Sequence, residues 1–252
     1  MKCNDDYAII MKGIKELAQD GYALVLDELI VHNSEFVQDE NIVPNIFKSF
    51  LIKNAFFSPE YEFPQIKKTY FKPTKAIPFD KALKSKECDQ WIHFYIHDYC
   101  FERVWNNPSK YLDLFKRFEG VITPDFSLYR NLPLVMQMWN TYRDRAIAYW
   151  LQNNGVNIVP NIRWGDERTY EFVFEGIEQG GTVAVSTNGC IQGKLDRYYF
   201  KKGLAKMVEV LKPNTIINYS STPDDIFGEY KDQGIEIIHI ENYAITVREA
   251  VV

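Results

Sequence analysis

"GTVAVSTNGCIQGKLDRYYFKKGLAKMVEVLKPNTIINYSS", residues 181–221, decides the fold class. Its "TVAV" and "TIIN" runs are apolar on both faces, as strands must be when a sheet is covered on both sides. Between them "DRYYFKKGLAKMVEVLK" reads as a helix closed by Pro213. Strand, helix and a second strand of the same kind make a parallel crossover unit. Ser186, Thr187 and Asn188 crowd the point where the first strand stops.

The pattern continues in both directions. Downstream, "TPDDIFGEYKDQG" reads as a helix with Thr222 as N-cap and Pro223 at its first position, and "IEIIHI" as the last strand. Upstream, "KAIPF", "WIHFYIHD", "GVITPDFS" and "VNIVPNIRW" read as strands. The intervening helices are "DKALKSKE", "NPSKYLDLFKRF", "LPLVMQMWNTYRDRAIAYWLQNNG" and "DERTYEFVFEGI". With the weak candidate "FPQIKKTYF" there are eight strands, which predicts a (β/α)8 TIM-like barrel, incomplete or distorted, over residues 56–252. The runner-up is a doubly wound parallel sheet, disfavoured because no GxGxxG follows the first strand. Residues 1–55 read as a helical or mixed extension, with "YAIIMKGIKELAQ" at helical period and "YALVLDELIV" either a strand or the start of a buried helix.

Formal charge of −5 disfavours a grip on extended nucleic acid, although Lys67, Lys68, Lys72 and Lys75 form a local basic stretch. Four cysteines without a CxxC pair, and no secretory or membrane-spanning run, predict a reduced cytoplasmic protein with free thiols. The aromatic share of 15% is high; rings fill cores and also line sites that stack bases or sugars.

In either architecture, ligands bind at the carboxyl ends of the strands. "KAIPF" ends in Asp80 and "WIHFYIHD" in His97 and Asp98. "GVITPDFS" ends in Asp125 and Ser127, and "VNIVPNIRW" in Asn161, Arg163 and Trp164. "TIINYSS" ends in Asn218, Tyr219 and Ser220, and "IEIIHI" in His239 and Glu241. Helix capping explains Asp80, Ser127, Asn188 and Ser220 equally well. Asp98 lies nine residues before the cap of the next expected helix, Asn107, and Asp125 precedes a proline-bounded turn, so capping explains neither. The two are the candidate catalytic carboxylates, as an acid/base pair; a hard-cation site is the other use of such a pair. Arg163 offers a fork for a phosphate or carboxylate, Trp164 a ring face, and Ser186, Thr187 and Asn188 donors for an anion.

Histidines contribute little. On a strand His93 and His97 stand about 13 Å apart, so no metal site is expected, and His239 in its apolar run reads as a core residue. Cys190 reads as a small buried hydrophobe before a nucleophile. Glu102 and Arg103 with Trp105 read as an ion pair and a plug, and Arg143, Asp144 and Arg145 as a solvated helix face.

The ordered blocks "WIHFYIHDYCFERVWNNPSKY", "GVITPDFSLYRNLP", "IVPNIRWGD" and "VAVSTNG" resemble the family called domain of unknown function 4417 over about residues 60–240. The resemblance implies a setting in bacteria, phages and mobile elements, and transfers neither an activity nor catalytic residues. The expected function is an enzyme acting on a nucleotide, nucleobase or related phosphorylated small molecule by carboxylate acid/base or glycosidic chemistry. The alternative is a non-catalytic nucleotide- or protein-binding module serving phage replication or counter-defence. No cofactor is implied.

Overall fold

The computed structural model describes residues 48–249. The chain divides into two compact units, residues 1–56 and 57–252. Of the first, the described part holds one 3-10 turn, Ser49–Ile52; the expected helix at 7–19 and the run after it lie outside the described residues.

The second unit alternates short strands with helices: β1 (Ala76–Pro78), α1 (Phe79–Ala82), β2 (Trp91–His93), α2 (Asp98–Asn106), α3 (Leu112–Arg117), β3 (Gly120–Ile122), α4 (Leu134–Asn153), β4 (Ile158–Val159), β5 (Thr182–Ser186), α5 (Lys194–Leu211), β6 (Thr215–Tyr219), α6 (Asp224–Asp232), β7 (Glu236–Ile240) and α7 (Tyr243–Glu249). All strand pairs are parallel, with Ile92 opposite Val121, Ile122 opposite Val159, and Val185 opposite Asn218.

The closed eight-stranded barrel is not what forms. Among the described residues there are two small sheets, one in the order β1-β2-β3-β4 and the other β5-β6-β7, and no pairing joins β1 to β7. Neither sheet reverses its strand order, so the doubly wound alternative fails as well. "FPQIKKTYF" contributes only isolated bridges, Phe57 with Pro64 and Ile66 with Ile177; Pro64 and Pro73 restrict ladder pairing on either side. "DERTYEFVFEGI" supplies a 3-10 turn, Glu167–Thr169, and further turns in place of a helix, with Phe172, Val173 and Phe174 buried in succession.

What connects the sheets is a single parallel bridge from Asn161 to Ala184. The Ile162 amide donates to the Ala184 carbonyl at 2.8 Å and the Ala184 amide to the Pro160 carbonyl at 2.9 Å. One apolar cluster draws on both sheets, with Ala76, Trp91, Tyr95, Ile122 and Val159 from the first against Ala184, Ile217, Tyr219 and Ile240 from the second. The other face of β5 and β6 packs under α5 and α6 through Val183, Val185, Ile216, Leu204, Met207 and Phe227. Many of the aromatics are core. Phe79, Phe94, Phe101 and Phe115 interlock at centroid distances of 5.3–6.2 Å around α2 and α3, and each fully buried ring contributes about 1.5–3 kcal/mol.

Period places Val135, Met138, Trp139, Tyr142, Ala146, Tyr149 and Trp150 on one apolar face of the long helix, and only part of it turns inward. Ala146 and Trp150 are buried but Val135 and Trp139 are exposed, whereas Gln137, Thr141, Arg143, Asp144 and Arg145 are buried. The supposed solvated arginines therefore lie in the interior, where each is held by an acid. The lysine stretch is also not a basic patch: Lys68 pairs with Glu178, Lys72 with Glu236 and Lys75 with Asp89.

Candidate functional site

The loop after β3 is held from both sides. "YCFERVWN" is a helix rather than a plug, and Asp98 opens it, with Asp98 Oδ2 accepting from the Ser127 amide at 3.0 Å and Oδ1 from its hydroxyl at 2.7 Å. From the opposite side, Asn140 donates to the Ser127 carbonyl at 2.7 Å. Arg143 fixes Asn140 in turn, donating to its Oδ1 at 2.6 Å, to both oxygens of Glu102 at 2.7 and 2.9 Å, and lying 4.0 Å over the Phe126 ring. Glu102 thus pairs with Arg143 rather than with Arg103, which covers the Phe79 ring.

This clamp presents Asp125, which is buried. Its Oδ1 accepts from Asn161 Nδ2 at 2.9 Å, and its Oδ2 from Arg163 Nη1 at 3.2 Å. Asn161 is fixed by the Tyr95 hydroxyl, which donates to its Oδ1 at 3.0 Å, and by Thr123, whose hydroxyl accepts from its amide at 2.8 Å. Three successive strand ends thus build one relay, Tyr95 to Asn161 to Asp125 to Arg163. Burial pushes the Asp125 carboxyl above the usual carboxylate range, against the pull of Arg163. Arg163 is in turn held more firmly protonated by Asp125.

Arg163 looks into a cavity of about 360 Å³ between the carboxyl ends of β3, β4 and β5 and the first turns of α5. Arg130, Trp164, Ser186, Cys190 and Tyr199 form much of the wall. Trp164 is seated against α5 because Gly203 has no side chain: a Cβ there would stand 2.1 Å from the indole nitrogen. That nitrogen donates to the Tyr199 carbonyl at 3.2 Å. Opposite, the Arg130 guanidinium lies 4.5 Å over the Tyr199 ring and donates to Asp196 at 2.8 Å. Burial raises the Cys190 thiol above its ordinary range, which keeps it protonated and a poor nucleophile.

Of the residues singled out in the sequence, Asp125, Asn161, Arg163, Trp164 and Ser186 meet in or directly behind this cavity. Asp98 and Ser127 form the tether beside it, with both Asp98 oxygens occupied. Thr187 and Asn218 belong to a turn knot: Asn218 Nδ2 donates to the carbonyls of Ser220 and Ser221 at 3.1 and 2.9 Å, and Thr187 to that of Ser221 at 2.6 Å. Tyr219 stacks on Tyr95 and His93 at 5.0 and 4.2 Å in the core. Asn188, His239 and Glu241 are exposed at the rim. His239 bonds to Thr222 and Glu241 there instead of joining the core. Asp80 pairs with Lys81.

Sequence reading missed Tyr95, Arg130, Asp196 and Tyr199. The last two lie in "KLDRYYF", where the helix hides which residues face the strand ends. Among the described residues, no group of three or more His, Cys, Asp or Glu is placed to hold a metal ion, and no helix is long and apolar enough to cross a membrane.

A family model described as Domain of unknown function (DUF4417) matches residues 56–243. The chain is 36% identical over 169 residues to the "Gene 1 protein" of Mycobacterium phage L5, covering 64% of this chain and 72% of that protein. It is 32% identical over 166 residues to the "Gene 1 protein" of Mycobacterium phage D29, with 64% and 61% covered. No solved structure matches.

Proposed function

Since the chain belongs to the Domain of unknown function (DUF4417) family and its relatives are phage proteins, we infer its function from the chemistry of the site: it binds a small anionic molecule that carries a ring, of the nucleotide class, between Arg163 and the aromatic wall. One observation carries this reading. Arg163 donates one N–H to Asp125, keeps its charge, and lines a cavity that Trp164, Tyr199, Arg130 and Cys190 also wall. A fork recognises phosphate or carboxylate in two-point fashion, and ring faces suit a base. The cavity's size falls in the range of small-molecule sites.

Binding is favoured over acid/base catalysis because the second carboxylate is not free. Asp98 accepts two hydrogen bonds from Ser127 and holds a loop, and the other acids nearby, Asp196 and Asp144, are each paired with an arginine. Native mass spectrometry of the protein mixed with a nucleotide pool tests this. Retention of an unchanged nucleotide, lost in Arg163→Met, supports binding. A converted product makes the protein an enzyme, and no retention by the wild type defeats the reading.

A further inference from the structure

Asp125 is a buried acid whose one directly bonded cation among the described residues is the arginine assigned to the ligand. An anion arriving on the far side of Arg163 adds negative charge roughly 7 Å from Asp125 and competes for the same guanidinium. We propose that anion binding at Arg163 is coupled to uptake of one proton by the Asp125 carboxyl, so the site accepts its ligand as the acid behind it is neutralised. This rests on the reading of the cavity as an anion site.

The surroundings favour uptake at this position. Asp98 of α2 repels the Asp125 charge, and Asp144 of α4 is close enough for the two acids to repel each other. Asp144 has its own counter-ion in Arg145, so Arg145 is not available to Asp125. Tyr95 after β2 and Cys190 after β5 also lie within electrostatic range, and both are neutral. Neutralisation does not dismantle the relay, because a protonated carboxyl still accepts from Asn161 through its carbonyl oxygen. Burial already raises this acid, and a nearby anion pushes it in the same direction.

The sign follows from linkage. If the anion raises the pKa of Asp125, affinity is highest where Asp125 is protonated in both free and bound protein. It falls as pH rises from the free-state pKa to the higher bound-state one, and is level outside that window. A unit charge roughly 7 Å from Asp125 at an effective dielectric of about 20 gives a change of at least tenfold in affinity across the window.

The test is calorimetric titration of the full chain with inorganic sulfate and with cyclic uridine monophosphate, whose charges stay constant between about pH 5 and about pH 8. It is run in buffers of differing ionisation enthalpy. The expected result is affinity at least about tenfold tighter at the acid end, with a heat that depends on the buffer. Asp125→Asn should bind at the alkaline end about as tightly as the wild type does at the acid end, with buffer-independent heat. Constant affinity and buffer-independent heat in the wild type would overturn the coupling. So would an Asp125→Asn protein with the wild-type pH dependence, since another acid would then be taking the proton. If Asp125→Asn does not fold, the wild-type buffer dependence decides alone. Absence of binding at every pH overturns the anion-site reading itself.

Discussion

Replacing Arg145 with Met removes a fully buried cation while keeping most of the side-chain volume. In the wild type Arg145 bonds to the Asp144 carboxylate, donates Nε to the Glu175 carbonyl at 3.0 Å, and donates Nη2 to the Val173 carbonyl at 2.6 Å. It ties the irregular segment before β5 to α4. Burial pushes the Asp144 carboxyl up to about 6, with Arg145 opposing. Without Arg145 that value climbs further, so at about pH 7.5 the variant must either bury an uncompensated charge or bind a proton. At about 1.4 kcal/mol per proton per pH unit, the extra electrostatic cost between about 6 and about 7.5 is about 2 kcal/mol. The carbonyls stranded at Val173 and Glu175 add about 1–2 kcal/mol. The total, about 3–4 kcal/mol, agrees with the usual cost of breaking a buried pair. Near pH 5 Asp144 is largely protonated in both proteins, so the difference should shrink to about 1–2 kcal/mol. Urea denaturation of both proteins at the two pH values reads this directly. A loss under about 1 kcal/mol at neutral pH, or the same loss at both, would refute the account of the pair.

Three further outcomes follow. Arg163→Met should weaken binding of anionic probes by at least about tenfold in calorimetry, and should destabilise the protein more at alkaline than at acid pH because Asp125 loses its counter-charge. Gly203→Ala drives a methyl into Trp164; it should cost about 1–3 kcal/mol in denaturant melts and lower ligand affinity by moving the cavity wall. His93 is held neutral by burial, with its pKa lowered to about 3. A depressed histidine contributes stability above its ordinary value of about 6.5 and loses it as pH falls towards the folded value, at about 1.4 kcal/mol per pH unit. His93→Gln should therefore show a flatter acid limb in thermal melts taken from about pH 6.5 downwards.

The strands were legible because each is an apolar run ending on polar residues, and "TVAV" and "TIIN" are buried along their whole length. Their extents were not: "VNIVPNIRW" yields a strand of two residues, Ile158–Val159, because Pro160 has no amide to continue the ladder. Closure was also illegible, since the β4–β5 connection looks helical by composition but folds as buried turns. Within the site, Asp125, Asn161 and Arg163 could be found because they sit at or just beyond the strand ends. The tethering duty of Asp98 was not legible, because sequence alone does not show that α2 begins on it or that both its oxygens accept from Ser127. The buried charges of α4 follow no hydrophobic period. A sequence pattern assigns charge to solvent, and only the three-dimensional pairing of Arg143 with Glu102 and of Arg145 with Asp144 brings those residues inside.

The site does not depend on the closure that fails to occur. Chain-order pairing within each sheet places the ends of β2, β3 and β4 side by side, and this is enough to assemble Tyr95, Asp125, Asn161 and Arg163. The step that turns the relay into a cavity is the Asn161–Ala184 bridge, since it sets the end of the first sheet beside β5 and so brings Arg163 opposite Ser186 and Cys190. Asn161 makes both connections at once: its backbone belongs to the bridge and its side chain joins Tyr95 to Asp125. A residue in that position couples the geometry of the sheet junction to the orientation of the arginine. The hydrogen bonds therefore seat Arg163 on the sheet junction through Asn161 and Asp125, as the proposed binding of a defined anion would require.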